Sequence, residues 1–227
     1  MLDIVGTILT ATALAALLAA VVCTIPVRLT SRLALAAAGG AWVGIAIAVA
    51  ASGALAVPAV LGVLFASPLV AAAAFALAFP AVRSAMLAIP VPLIIGLNVF
   101  RLLGAEFLML AIVGRLGGPF PLSAGWGDIV TGTLAIPVAI LATRVRTNDA
   151  RILGWNTFGT LDLMVAVLLG ITSANGSALQ FIHAGVGSAA MQTLPWSLVP
   201  TVLVPLFLIG HGIVFAHARA ARLDVRT

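Results

Sequence analysis

Between Val91 and Arg115 the chain reads VPLIIGLNVFRLLGAEFLMLAIVGR, long and apolar enough to cross a bilayer yet carrying Arg101 and Glu106 in its interior. A hydrocarbon core about 30 Å thick takes about 20 such residues as a helix. An ionisable side chain at that depth is costly, so it faces other helices or a wet cavity and takes a partner. This stretch therefore needs further helices around it, and one of them has to bring an acid to Arg101. Elsewhere in the chain, the acid that falls at a similar depth is Asp162.

Composition agrees with that demand. Of 227 residues, 63% are hydrophobic and 7% are charged, against about 25% charged in soluble domains. The expected fold is all-α and polytopic: one transmembrane helical domain over residues 1–227, with the lipid bilayer as its surroundings. Apolar runs and their breakers place seven spans at about 4–27, 33–52, 57–79, 91–115, 128–144, 152–172 and 195–218. Gly40-x-x-x-Gly44 has a spacing suited to close helix packing. Pro68, Pro200 and Pro205 fall inside spans. The stretch 115–126 reads as a Gly/Pro-rich loop, which makes Asp128 the N-cap of the fifth span. Cys23, the lone cysteine, reads as a small buried apolar residue.

The basic residues are all arginine and scattered singly, with no aromatic interleaving, so they read as topology signals and not as a nucleic-acid surface. With seven spans, Arg28, Arg32, Arg83, Arg144, Arg146, Arg151, Arg219, Arg222 and Arg226 share one side, and Arg115 lies near the other. The positive-inside rule then puts the N-terminus outside and the C-terminus in the cytoplasm. Trp155 falls near the inner interface, and Trp126 and Trp196 near the outer one, where aromatic belts form.

Depth identifies the groups that meet. Arg101 and Asp162 each lie ten residues into spans that enter from the same side, about 15 Å deep at 1.5 Å per residue. They are natural partners, while Glu106, about 140° around the helix from Arg101, is a poorer one. Asn98 lies near Arg101 by helical spacing, and Asn156 and His211 fall slightly closer to the cytoplasmic side. The candidate polar centre is thus Arg101, Asp162, Glu106, Asn98, Asn156 and His211.

Several chemistries are excluded. No lysine exists to form a retinal Schiff base, and HExxH, GxSxG, Walker and CxxCH motifs are absent. An enzyme is therefore the weaker reading, left open, and no metal or cofactor is expected. The segments FRLLGAEFL, SAGWGDI, GTLDL and LPWSLVPTVLVPL resemble stretches of an uncharacterised family of bacterial inner-membrane proteins, over roughly the last 130 residues. The resemblance implies a multi-pass protein of the bacterial cell membrane and carries no assigned activity. The expected function is a carrier of a small polar or anionic solute, ion or proton, with Arg101 as the charge-balancing or anion-binding group and Asp162 as its counter-ion. The alternative is a non-transporting scaffold or sensor in which the Arg101–Asp162 pair is structural.

Overall fold

The computed structural model describes residues 1–24 and 27–223; Arg226 lies outside them. Seven helical stretches are long and apolar enough to cross a membrane, and no strand occurs among the described residues. The first three are α1 (Leu2–Thr24), α2 (Leu29–Ala51) and α3 (Pro58–Ala78), followed by a short amphipathic α4 (Pro80–Leu87). The fourth is composite: α5 (Val91–Leu97), a 3₁₀ segment (Asn98–Gly104) and α6 (Ala105–Ile112). Then come α7 (Phe120–Ala142), α8 (Ala150–Thr172) and α9 (Val204–Leu223), the last preceded by a π-helical turn at Val199–Leu203. The exposed faces carry large apolar side chains such as Leu77, Ile112, Phe158 and Leu168, a surface suited to lipid.

The fifth span starts eight residues earlier than its sequence suggests. Pro121 sits in the first turn of α7, where its missing N–H costs nothing. Gly125 and Gly127 lie inside the helix because neighbouring helices press against them: a Cβ on Gly125 would stand 2.7 Å from Leu108 Cδ2. The fourth crossing ends at Ile112 and its middle is 3₁₀, not α throughout. The expected close packing through Gly40 and Gly44 is not made, since both face open space, while Gly39 packs on Leu18 of α1. Cys23 is exposed. Trp126 is exposed, whereas Trp155 and Trp196 are buried among the helices.

The packing is uneven. α7 lies against the fourth crossing and α8, and α9 packs on α8, α3 and α5. α1 packs chiefly on α2, and the first three spans bury less of themselves than the last four, α2 and α3 least of all. Two apolar layers bracket the middle of the bundle. One holds Val91, Ile95, Ala135, Ile152, Trp155 and Val214; the other holds Phe107, Leu110, Leu116, Phe120, Met191 and Trp196. The connection before α9 folds back over the second layer, with Gly117 N–H donating to Gly187 O (2.8 Å) and Ser188 Oγ to Gly170 O (2.8 Å). The same end is tied by Asp3, whose carboxylate accepts from Arg115 (2.7 Å) and Trp196 Nε1 (2.9 Å). Arg115 is thereby matched to an acid. At the opposite end, Arg146 donates to Ala221 O (2.7 Å), capping a C-terminal carbonyl of α9. Asp149 caps α8 by accepting from Arg151 N–H (2.9 Å), and the Arg151 side chain beside it holds its carboxyl below the usual range.

Pro205 has no N–H to offer the Thr201 carbonyl four residues earlier. Trp42 Nε1 of α2 donates to that carbonyl instead (3.0 Å), joining the loosely packed N-terminal spans to the core. Trp42→Phe is expected to destabilise the protein by about 1–3 kcal/mol, the cost of a buried carbonyl left unmade. Pro205→Ala, which restores a backbone donor, should offset part of that loss in the double variant. A double-mutant cycle of thermal unfolding measures the coupling; strict additivity would show that Trp42 acts through packing alone.

Candidate functional site

The 3₁₀ segment is where the site begins. Three residues per turn put every third side chain in one row, and the buried residues of Asn98–Gly104 are Asn98, Arg101 and Gly104. Arg101, 2% exposed, projects from the middle of that row. Its Nε donates to Asp128 Oδ1 of α7 (2.6 Å), and its Nη2 is paired with Asp162 Oδ2 of α8. Nη1 donates to Gly159 O (3.0 Å) and lies 3.4 Å from His211 Nε2 of α9. Four of the five N–H groups of the guanidinium are thus directed at protein partners from three helices.

The far side of the cluster fixes the state of the imidazole. Asn156 Nδ2 donates to His211 O (3.2 Å), which orients the amide and leaves Oδ1 2.8 Å from His211 Nδ1. An amide oxygen only accepts, so Nδ1 carries the proton. Nε2 then presents its lone pair to the Arg101 guanidinium, and the imidazole is neutral. The Trp155 ring lies against it, centroids 5.5 Å apart, while its Nε1 donates to Thr131 O (3.1 Å).

Three glycines make the approach possible, and they form a closed cycle. Gly104 of the fourth crossing is the pit for Asp128, and a Cβ there would run into the aspartate's own Cβ. Gly127 of α7 takes the Asp162 carboxylate in the same way. Gly159 of α8 takes Arg101 and His211: a Cβ there would stand 3.0 Å from Arg101 Nη1 and 2.8 Å from His211 Cε1. Each helix supplies both a charged group and the gap for its neighbour's.

Of the candidates read from sequence, the structure brings together Arg101, Asp162, Asn156 and His211. It leaves out two. Asn98 turns from the cluster, its Nδ2 donating to Ile94 O (2.9 Å). Glu106 is buried but forms no ion pair among the described residues, and its Oε1 has no partner. Leu103 and Leu110, on either side of it, belong to apolar clusters that hold no acid or base to pair with it.

The member that the sequence reading misplaced is Asp128. It is not an N-cap: it lies in the third turn of α7, eight residues from Phe120, or about 12 Å along the helix. The available signal was the adjacency of glycine to charge in Arg101-x-x-Gly104, Gly127-Asp128 and Gly159-x-x-Asp162. Among the described residues, no group of three or more His, Cys, Asp or Glu is arranged to hold a metal. The chemistry on offer is electrostatic: one guanidinium, two carboxylates and a neutral imidazole, sealed between two apolar layers.

Fold and site together define a class: an all-helical bundle with seven membrane-length helices around a buried Arg–Asp–Asp cluster. Residues 58–219 match the family model described as Domain of unknown function (DUF8737), and the chain belongs to that family. The match takes in α3 through nearly all of α9, including every residue of the cluster. No curated protein and no solved structure matches the chain.

Gly127→Ala and Gly159→Ala are expected to lower the melting temperature, each costing about 1–3 kcal/mol by overpacking. Gly40→Ala, where a methyl meets nothing within 4 Å, should be neutral or stabilising by up to about 1 kcal/mol through helix propensity. Thermal unfolding in detergent compares the three. Equal effects at all three sites would rule out the close approach as the reason for the glycines.

Proposed function

We propose that this chain is a multi-pass membrane protein that moves protons or a small cationic solute, with Asp128 and Asp162 as the exchange site and Arg101 as a fixed counter-charge. The observation that carries this reading is the second carboxylate. One guanidinium and two ionised aspartates, beside a neutral His211, leave one excess negative charge inside the bundle. An uncompensated charge in an apolar interior costs several kcal/mol, and taking up one proton or one cation removes it. The same arithmetic argues against Arg101 as an anion receptor, because two anions already hold it. Intramembrane carboxylates facing the bundle interior are the groups that proton relays use.

The topology belongs to this proposal as well: N-terminus outside, C-terminus in the cytoplasm, in the cell membrane of a bacterium. The support is the arginine distribution, with eight described arginines at the ends where α1 meets α2, α3 meets α4, α7 meets α8, and α9 finishes. In a Cys23→Ala background, a single cysteine at Ser177 should react with an impermeant maleimide on intact cells. One at Thr147 should react only after lysis. The reverse pattern would invert the topology.

A second reading, a scaffold whose cluster only ties helices together, draws on the enclosure of Arg101, which is 2% exposed. Proteoliposomes carrying a pH-sensitive dye separate the two. With exchange at the cluster, wild type dissipates a pH gradient faster than empty vesicles, and Asp128→Asn and Asp162→Asn each return the rate to the empty-vesicle level while remaining folded. With a structural tie, wild type matches empty vesicles and the same substitutions change only the melting temperature.

A further inference from the structure

Beside the ion cluster, and separate from it, lies a cavity of about 300 Å³ between α1, α2, α5 and α9, with Pro68 of α3 on its wall. Its lining is almost wholly carbon, including Leu14, Leu17, Trp42, Leu93 and Phe207. One polar side chain that lines it is Asn98, which is 2% exposed. The Asn98 amide is oriented by its own helix, since Nδ2 donates to Ile94 O (2.9 Å). That leaves Oδ1, and Oδ1 has no hydrogen-bond partner. A carbonyl oxygen can only accept, and a buried one left unmatched costs about 1–3 kcal/mol. Turning the amide over would not help, because it would set two oxygens against each other at Ile94.

We propose that this cavity binds the hydrocarbon chain of a membrane amphiphile whose hydroxyl donates to Asn98 Oδ1. The volume falls at the low end of ligand pockets and corresponds to about ten groups the size of a water molecule, at about 30 Å³ each. A single alkyl or isoprenyl segment of about that many carbons fills it. Apolar walls admit the chain and reject a charged head, so the donor is a neutral hydroxyl. Trp42, on the wall and hydrogen-bonded to Thr201 O (3.0 Å), places a fluorophore inside the site. The entrant comes from the lipid phase, since the walls offer no polar route.

The test uses 10-bromo-1-decanol, a quencher of tryptophan, titrated into the protein in nanodiscs, with its methyl ether as the control probe. The expected result is a saturable loss of fluorescence, above the linear loss from bulk partitioning, that disappears in Trp42→Phe. The alcohol should bind about fivefold to tenfold more tightly than the ether, the worth of one neutral hydrogen bond. Asn98→Ala should erase that preference while leaving ether binding intact, and Ala20→Phe, which fills the lining, should abolish both. Equal affinity for alcohol and ether in wild type would overturn the role of Asn98 and assign Oδ1 to a water. Quenching that stays linear, or that persists in Trp42→Phe, would overturn the site itself.

Discussion

A guanidinium buried in an apolar bundle has to be matched by anions and acceptors whose positions are set before any function is considered. Arg101 meets that demand with two aspartates, a backbone carbonyl and an imidazole nitrogen drawn from α7, α8 and α9. The other features follow from it. The four C-terminal spans share this one charge and are the more buried ones, whereas α1, α2 and α3, which contribute nothing to the cluster, bury less. The glycines at 104, 127 and 159 stand where side chains would keep the partners apart.

Local winding decides which groups can join. In an unbroken α-helix Asn98, Arg101 and Gly104 would fan over about 120°, whereas the 3₁₀ segment sets them in one row. Arg101 and Gly104 then both serve the α7 interface. The π-helical turn at Val199–Leu203 does the opposite by widening its helix just before Pro205, and the carbonyl this proline cannot serve is taken by Trp42. One tightened and one loosened segment thus flank the same core.

Much of the architecture was legible from hydropathy, because a span is a long, simple signal. All seven helices appear within a few residues of where apolar runs place them, apart from the start of α7. That start was lost because Gly125, Gly127 and Pro121 look like loop residues when no neighbour is in view. In the fold they are a helix start and two contact points. Depth along a helix brought Arg101 and Asp162 together correctly, since 1.5 Å per residue is a reliable ruler. Azimuth was less readable. Glu106 lies at a reasonable depth in α6 but is not part of the cluster, and the Asn98 side chain, although in the Arg101 row, turns back to Ile94 O of its own helix. Trp155 and Trp196 are buried, and each indole N–H has a protein partner, Thr131 O and Asp3.

The cyclic interlocking of glycine and charge also bears on how the chain is made. Synthesis delivers Arg101 before Asp128, Asp128 before Asp162, and His211 last. The fourth crossing therefore leaves the ribosome with an unanswered cation and only later meets its acids. Its pit at Gly104 stays empty until α7 arrives, and the pit at Gly159 takes His211 only once α9 is in place. No pair of neighbouring helices completes the circuit, so the cluster can close only after the last of its four contributors has been synthesised.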